Sequence, residues 1–383
     1  MEAFAITNKG TEKTAAEEIL EIIKLKSEAK TEERLVKFQA KNYEDICKII
    51  YLGQSFSKVC VFLGEFTFED GNDFEKKFSE NISKSKLEDW LHDELSFRTE
   101  CTREGEHNFS SIDIEKEAGG VILAASKAKL SVDLKNPQLK IFIFINNSNC
   151  IYGIDLSGID LSSREYKIFT HRQSFNGTIA FSLVKLSGWD RKKLIIDPMC
   201  GSGMVPIEAA IWQTGFSHNY YRKDKLAFTK MDLGFDQKKF FLDIDAKAEF
   251  PSKPSISTSD MVLASVNATQ KNSKIAGVQK AISVSRIDMD WMDTKVEQNS
   301  ISFIITQFPD MTRMADAKVM EKLYHEFFYQ ADYTLKKKNA VIVVVCNMPE
   351  KIEEKAKEFG FKLEGKYDFW QGKEKMDVRK FIR

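Results

Sequence analysis

The sequence is poor in the features that mark metal centres, secreted frameworks and membrane spans. Six cysteines, at 47, 60, 101, 150, 200 and 346, are spread over 383 residues without one CxxC pair. That spacing argues against both a structural zinc site and a disulfide framework, and suits a reducing cytoplasm. The five histidines, 92, 107, 171, 218 and 325, show no ligand spacing, so no metal is expected. Charge of neither sign is in excess, since 57 Lys and Arg balance 57 Asp and Glu. Without a global field, any nucleic-acid contact must come from local patches. No run approaches the ~20 apolar residues of a membrane helix. The N-terminal "MEAFAITNKGTEKTAAEEIL" turns charged before an apolar core of signal length develops, which reads as a soluble chain that is not exported. Tandem repeats and low-complexity tracts are missing too. What is present is a hydrophobic fraction of 43%, enough for a large core in a chain too long for one ordinary domain.

Apolar periodicity divides the chain. In residues 1–69, "EAFAIT", "RLVKFQA" and "KVCVFLGEF" read as strands, and "KTAAEEILEIIK" and "YEDICKIIYLG" as helices. This βαβ-like order suits a small α+β domain. A second unit, 70–160, combines helical "FEKKFSENISKSKLEDWL" and "SIDIEKEAGGVILAAS" with strand-like "LSFRTECTRE" and "KIFIFIN". Asn136 and Pro137 mark the turn before that last strand. The polar, basic "SSREYKIFTHRQSFNGT" reads as a linker, 161–178. From 179 to 383, strand-like "KLIID", "SISTSD", "AISVSRID", "ISFIITQ" and "AVIVVVCN" alternate with helix-like runs. Such alternation implies a mostly parallel, doubly wound α/β sheet with helices on both faces. The closing "FKLEGKYDFWQGKEKMDVRKFIR" adds two strands around a glycine turn, seven in all.

The stretch "IIDPMCGSGMVPIEAA", 195–210, sits where such sheets bind ligands, at a glycine turn between a strand end and the next helix. Pro206 stands where the third glycine of GxGxxG belongs, which leaves a nicotinamide-dependent oxidoreductase with little support. The string "DPMCGSGMVPIEAA" resembles the first motif of the class I S-adenosylmethionine-dependent RNA methyltransferases that carry a THUMP domain. Other segments resemble the same group: "FRTECTREGEHNFSSIDIEKEAGGVI" and "VDLKNPQLKIFIFI" the THUMP sequence, and "EYKIFTHRQSFNGTIAFSLVKLSGW" the linker and helix before the first motif. The long segment 217–250, "SHNYYRKDKLAFTKMDLGFDQKKFFLDIDAKAEF", is similar to an insertion of that family. Residues 1–69 match only by position, as the ferredoxin-like domain that accompanies THUMP. Among the relatives, the tRNA acceptor-stem guanine-N2 enzymes match the length and layout best. The resemblance therefore implies S-adenosylmethionine as cofactor and tRNA as partner, with no DNA, no membrane and a monomeric chain.

The resemblance also assigns residues. Asp197 falls near the methionine end of the cofactor, and the Gly201, Ser202 and Gly203 backbone lets that moiety pass closely. Met204 replaces the usual Thr and removes a hydroxyl suited to the cofactor's carboxylate. Asp260 ends the next strand, where a carboxylate accepts both ribose hydroxyls. Asp288, with Asp290 as the nearby alternative, follows the third strand to accept the adenine amino group. Glu208, on the helix after the first motif, is as much a packing or solvent residue as a ligand. The family's NPPY-type loop orients the target nitrogen; here "QFPDM" places Gln307 for the Asn, Phe308 for the first Pro, Pro309 as in the family, Asp310 for the aromatic and Met311 for the usual Gly. Gln keeps an amide acceptor on an arm longer by about 1.5 Å, where about 1 Å of misplacement can cost a hundredfold. Phe308 offers a ring in place of the lost stacking surface. This departure keeps open a catalytically impaired relative that binds tRNA or another RNA, and a ribosomal RNA guanine-N2 enzyme is a further alternative. Arg164, Lys167, His171 and Arg172, interleaved with Tyr166 and Phe169, suit an RNA backbone and a solvated linker almost equally. Cys200 and Cys346 read as buried thiols, because the "TQFPDM" loop holds no cysteine for a pyrimidine-C5 mechanism.

Overall fold

The computed structural model describes residues 1–25, 28–170, 174–309 and 317–383. Two sheets organise them. The first contains β1 (Glu2–Thr7), β2 (Lys30–Glu32), β3 (Leu35–Gln39), β4 (Phe56–Thr67), β5 (Ser96–Glu104), β6 (Ser131–Val132), β7 (Leu139–Asn146) and β8 (Asn149–Asp155), in the order β2-β3-β1-β4-β8-β7-β5-β6. Helices α1 (Glu12–Ile23), α2 (Tyr43–Leu52), α3 (Gly71–Ile82) and α4 (Ser111–Ala125) cover one face. The period-2 geometry of a strand explains how β7 serves two layers. Ile141, Ile143 and Ile145 enter the core under the helices, and Phe142 and Phe144 join a smaller cluster with Phe4, Leu35 and Ile151 on the other face. The α4 start is fixed by a capping box, Ser110 and Asp113 bonding each other's backbone.

The break between 69 and 70 is a turn into α3 and not a gap between cores. Strand β4 pairs antiparallel with β8, from Cys60↔Asp155 to Thr67↔Asn149, so residues 1–69 and 70–160 share one continuous sheet. Under the helices, their buried residues from Ala3 to Leu161 form one cluster.

The second sheet holds β9 (Ile195–Asp197), β10 (Ile256–Asp260), β11 (Ile282–Arg286), β12 (Phe303–Gln307), β13 (Val341–Cys346), β14 (Lys362–Gln371) and β15 (Glu374–Ile382), in the order β11-β10-β9-β12-β13-β15-β14. The first five are parallel, and β15 runs antiparallel to β13. Helices α5 (Gly177–Leu186), α6 (Met204–Thr214), α7 (Gln237–Asp245), α8 (Leu263–Ile275), α9 (Ala317–Thr334) and α10 (Pro349–Glu358) complete the chain. Ile195, Ile305 and Val343 face α5 and α6, whereas Ile196, Ile304 and Val344 face α9 and α10. Burial on both faces is why these strands read as unbroken apolar runs. Order reverses at β9, leaving a crevice beyond the carboxyl ends of β9 and β12. No helix among the described residues is long and apolar enough to cross a membrane.

The insertion and the linker both bind the halves together. Leu226, Phe228, Phe240 and Ile244 from the insertion enter the N-terminal core. The amides of Ala227 and Phe228 donate to the carbonyls of Ser157 and Leu156, and the Tyr51 hydroxyl donates to Asp245 at 2.6 Å. At the centre lies Glu208 on α6, fully buried. It accepts from Arg164 Nε at 2.6 Å, the Tyr166 hydroxyl at 2.5 Å and Gln54 Nε2 at 2.5 Å. Gln54 is itself held by Glu18, whose carboxylate accepts the amides of Gln54 and Ser55 at 2.8 and 3.0 Å. The pairing corrects the reading of the linker: Arg164 and Tyr166 are buried and committed to Glu208, and Lys167 donates to the carbonyls of Ser174 and Phe175. Neither Arg164 nor Tyr166 faces solvent where RNA would lie; His171 and Arg172 lie outside the described residues. Phe169 remains 38% exposed, with the Lys271 ammonium 4.6 Å from its ring centre.

Removing one partner of a buried ion pair strands the other charge, at a cost of about 3–5 kcal/mol. Glu208→Ala and Arg164→Ala each therefore lower the unfolding free energy read from denaturant titration by that order, and the double variant loses less than the two losses added. Additive losses in the cycle would contradict the coupling.

Candidate active site

Motif residues from four strand ends meet at the crevice. A cavity of about 310 Å3 is lined by Asp197, Cys200, Gly201, Ser202, Met204, Asp260, Asp288, Gln307 and Pro309, with Ser174, Phe175, Met261, Val262 and Met289 among its other wall residues. The three aspartates expected from separate strands thus share one wall system. Asp290 stands outside it; its backbone carbonyl accepts from Gln330, while Asp288 caps the turn Met289–Thr294.

The glycine turn is required by its geometry. Gly201 and Gly203 have φ of +53° and +85°, a region that disfavours side chains. A Cβ on Gly203 would also lie 2.7 Å from the Thr269 methyl. Pro206 falls in the first turn of α6, where its missing N–H costs no helical bond. The turn is tied to the second acid: the Gly201 amide donates to Asp260 at 3.0 Å, and the Val262 amide to the other carboxylate oxygen at 2.8 Å. Both oxygens keep lone pairs for further donors.

Asp197 is buried, and accepts from the Thr306 hydroxyl at 2.7 Å and the Met199 amide at 3.3 Å. Burial, with a smaller contribution from the neighbouring Asp260, raises its carboxyl to about 7 against those two hydrogen bonds. None of the groups acting on it is a cation. A buried carboxylate on a cavity wall without a positive partner fits an incoming ammonium, and Asp260 fits a diol. The residues therefore suit S-adenosylmethionine. Burial pushes the Cys200 and Cys346 thiols up to about 12, so both stay protonated.

The catalytic loop is only partly as expected. Gln307 and Pro309 line the cavity, and the Pro309 carbonyl accepts from Asn347 at 3.0 Å. Phe308 does not line it. Its ring is 1% exposed and packs edge-on against Tyr324 and Phe327, because the side chain after Gln307 alternates to the α9 face. It offers no stacking surface to a base. Asp310 and Met311 lie outside the described residues. Sequence reasoning missed Thr306, Ser174 and Phe175. Thr306 carried a signal, a polar residue inside the apolar "ISFIITQ"; the linker pair carried none.

Comparison with known proteins follows the same division. The pattern described as RMKL-like, methyltransferase domain matches residues 164–370, and the THUMP domain pattern matches 73–155. A tRNA (guanine(6)-N2)-methyltransferase of Methanocaldococcus jannaschii is 30% identical over 266 residues, 67% of this chain and 68% of that protein. One of the same description from Archaeoglobus fulgidus is 27% identical over 66% of this chain and 61% of its own length. Among solved structures, that of SMU.472 complexed with SAH superposes with a TM-score of 0.81 at 21% identity, covering 100% of this chain and 97% of that one. TrmN from Thermus thermophilus gives 0.71 at 18% identity, covering 100% and 99%. These two likenesses establish the fold. With the methyltransferase pattern spanning more than half of its length, the chain belongs to the RMKL-like methyltransferase family and carries a THUMP domain ahead of the methyltransferase domain.

Proposed function

We propose that the chain transfers a methyl group from S-adenosylmethionine to the exocyclic N2 of a guanosine in the acceptor stem of tRNA, in the cytoplasm and as a monomer. The convergence of Asp197, Asp260, Asp288 and Gln307 on one cavity carries the reading, and the two archaeal relatives named for this reaction support the substrate. When bound, the cofactor supplies an electrophilic methyl on a sulfonium. The protein's part is binding and orientation. Asp197 takes the cofactor's ammonium, Asp260 its ribose hydroxyls and Asp288 its adenine amino group, with the Gly201–Gly203 turn admitting the chain between them. Gln307 accepts a hydrogen of the target amine, whose lone pair is otherwise delocalised into the ring. Aligning that nitrogen is worth several kcal/mol of barrier. Reaching a base in a stem requires flipping it out, while the THUMP unit holds the RNA by shape and phosphate contacts.

Burial of the Phe308 ring favours a second reading, a chain that binds cofactor and tRNA with little turnover. Incubation with methyl-labelled cofactor and tRNA transcripts, followed by nucleoside analysis, separates the two. N2-methylguanosine is the expected product, reduced about a hundredfold in kcat/KM by Gln307→Ala. Retained S-adenosylhomocysteine binding with no labelled nucleoside would establish the second reading instead.

The raised carboxyl of Asp197 sets a pH dependence. Below about 7 it is protonated in the free protein and cannot pair with an ammonium, so binding must first expel a proton. Affinity for S-adenosylhomocysteine should fall about tenfold per unit below pH 7 and level off above it. In Asp197→Asn the affinity is low throughout and this slope is absent.

A further inference from the structure

The interdomain linker returns from the Glu208 hub to the cavity, and buried polar contacts fasten it there. Asn272 on α8 is fully buried. Its amide donates to the carbonyls of Phe169 at 2.8 Å and Ser202 at 2.9 Å, and its Oδ1 accepts the Phe169 amide at 3.1 Å. One carboxamide thus joins the linker to the glycine turn. Ser202 Oγ in turn donates to Ser174 Oγ at 3.0 Å, and both serines line the cavity beside Asp197 and Met204. The Lys167 ammonium, bonded to the carbonyls of Ser174 and Phe175 at 3.1 and 2.9 Å, places a positive charge behind that corner.

Donation from Ser202 leaves Ser174 with its own hydroxyl hydrogen, for which the described residues provide no acceptor. The first turn of α6 cannot supply a hydroxyl, because Met204 stands at its start. We propose that Ser174 is a cofactor-binding residue, donating to the carboxylate at the methionine end of S-adenosylmethionine, and that Asn272 is the positioning residue that sets it there. This rests on the cofactor reading of the cavity. Asp197 then takes the ammonium and Ser174 the carboxylate of the same amino-acid group. The segment that reads the carboxylate belongs to neither globular half, and its other end is anchored through Arg164 to the N-terminal half.

Calorimetric titration of the full chain with S-adenosylhomocysteine, and with its decarboxylated analogue 5′-(3-aminopropylthio)adenosine, tests this. Ser174→Ala should weaken S-adenosylhomocysteine about tenfold, the scale of one hydrogen bond to a charged group, and leave the analogue within twofold of its original affinity. Ser174→Thr, which keeps the hydroxyl, should restore most of the loss. Asn272→Ala should show the same selectivity, with a thermal melt confirming that it is folded; if it is not, the Ser174 pair decides alone. Equal weakening of both ligands, or of neither, by Ser174→Ala overturns the proposal while the cofactor reading stands. Failure of the unaltered chain to bind S-adenosylhomocysteine overturns both.

Discussion

The buried pair of Arg164 and Glu208 is the constraint on which the relation between the two halves depends. Glu208 lies on α6, the helix that begins at the glycine turn, and Arg164 starts the linker that leaves the N-terminal sheet. Two charges without exposure are tolerated only with their hydrogen bonds satisfied, and here Tyr166 and Gln54 supply the remaining donors. Because Gln54 comes from the N-terminal core, the carboxylate ties three segments to one point. The insertion adds apolar side chains to the N-terminal core, and its His218 is held neutral by burial and two neighbouring guanidinium groups. The unit that would hold RNA and the helix that shapes the cofactor turn are therefore joined in one buried, hydrogen-bonded arrangement.

That arrangement matters for chemistry that works by placement. The cavity contains no thiolate, and its one strongly perturbed carboxyl, Asp197, suits an ammonium better than a proton-transfer role. What the chain supplies is a set of acceptors at fixed strand ends, with Gln307 at the end of β12 facing the acids of β9, β10 and the turn after β11. Thr258 and Thr306 stiffen Asp197 from both sides, one bonding its carbonyl and the other its carboxylate. Such backing keeps a binding geometry within the tolerance that methyl transfer demands.

Much of this was legible in the sequence, for physical reasons. Strands buried on both faces must be apolar throughout, so "KLIID" and "AVIVVVCN" announced themselves, and a GSG turn between a strand and a helix permits a close approach of backbone to a ligand. The N-terminal division was harder to see. The βαβ-like order of residues 1–69 reads as a domain of its own, yet strand pairing is non-local, and nothing in β4 tells that β8, some ninety residues on, will be its neighbour. The basic linker misled for a related reason. Arg164 looks the same in sequence whether it meets solvent or a buried Glu, and its partner is 44 positions away. Phe308 suggests a stacking ring in the sequence, but the alternation of β12 continues one residue past Gln307 and puts it in the α9 core.

The central claim is that one crevice beside β9 holds the cofactor between three carboxylates. A crystal structure of the chain with S-adenosylhomocysteine tests it most directly. The account predicts the homocysteine ammonium against Asp197, the ribose on Asp260, the adenine amino group toward Asp288, and the sulfur facing Gln307. Ligand density elsewhere, or in this crevice with the ribose away from Asp260, would contradict it.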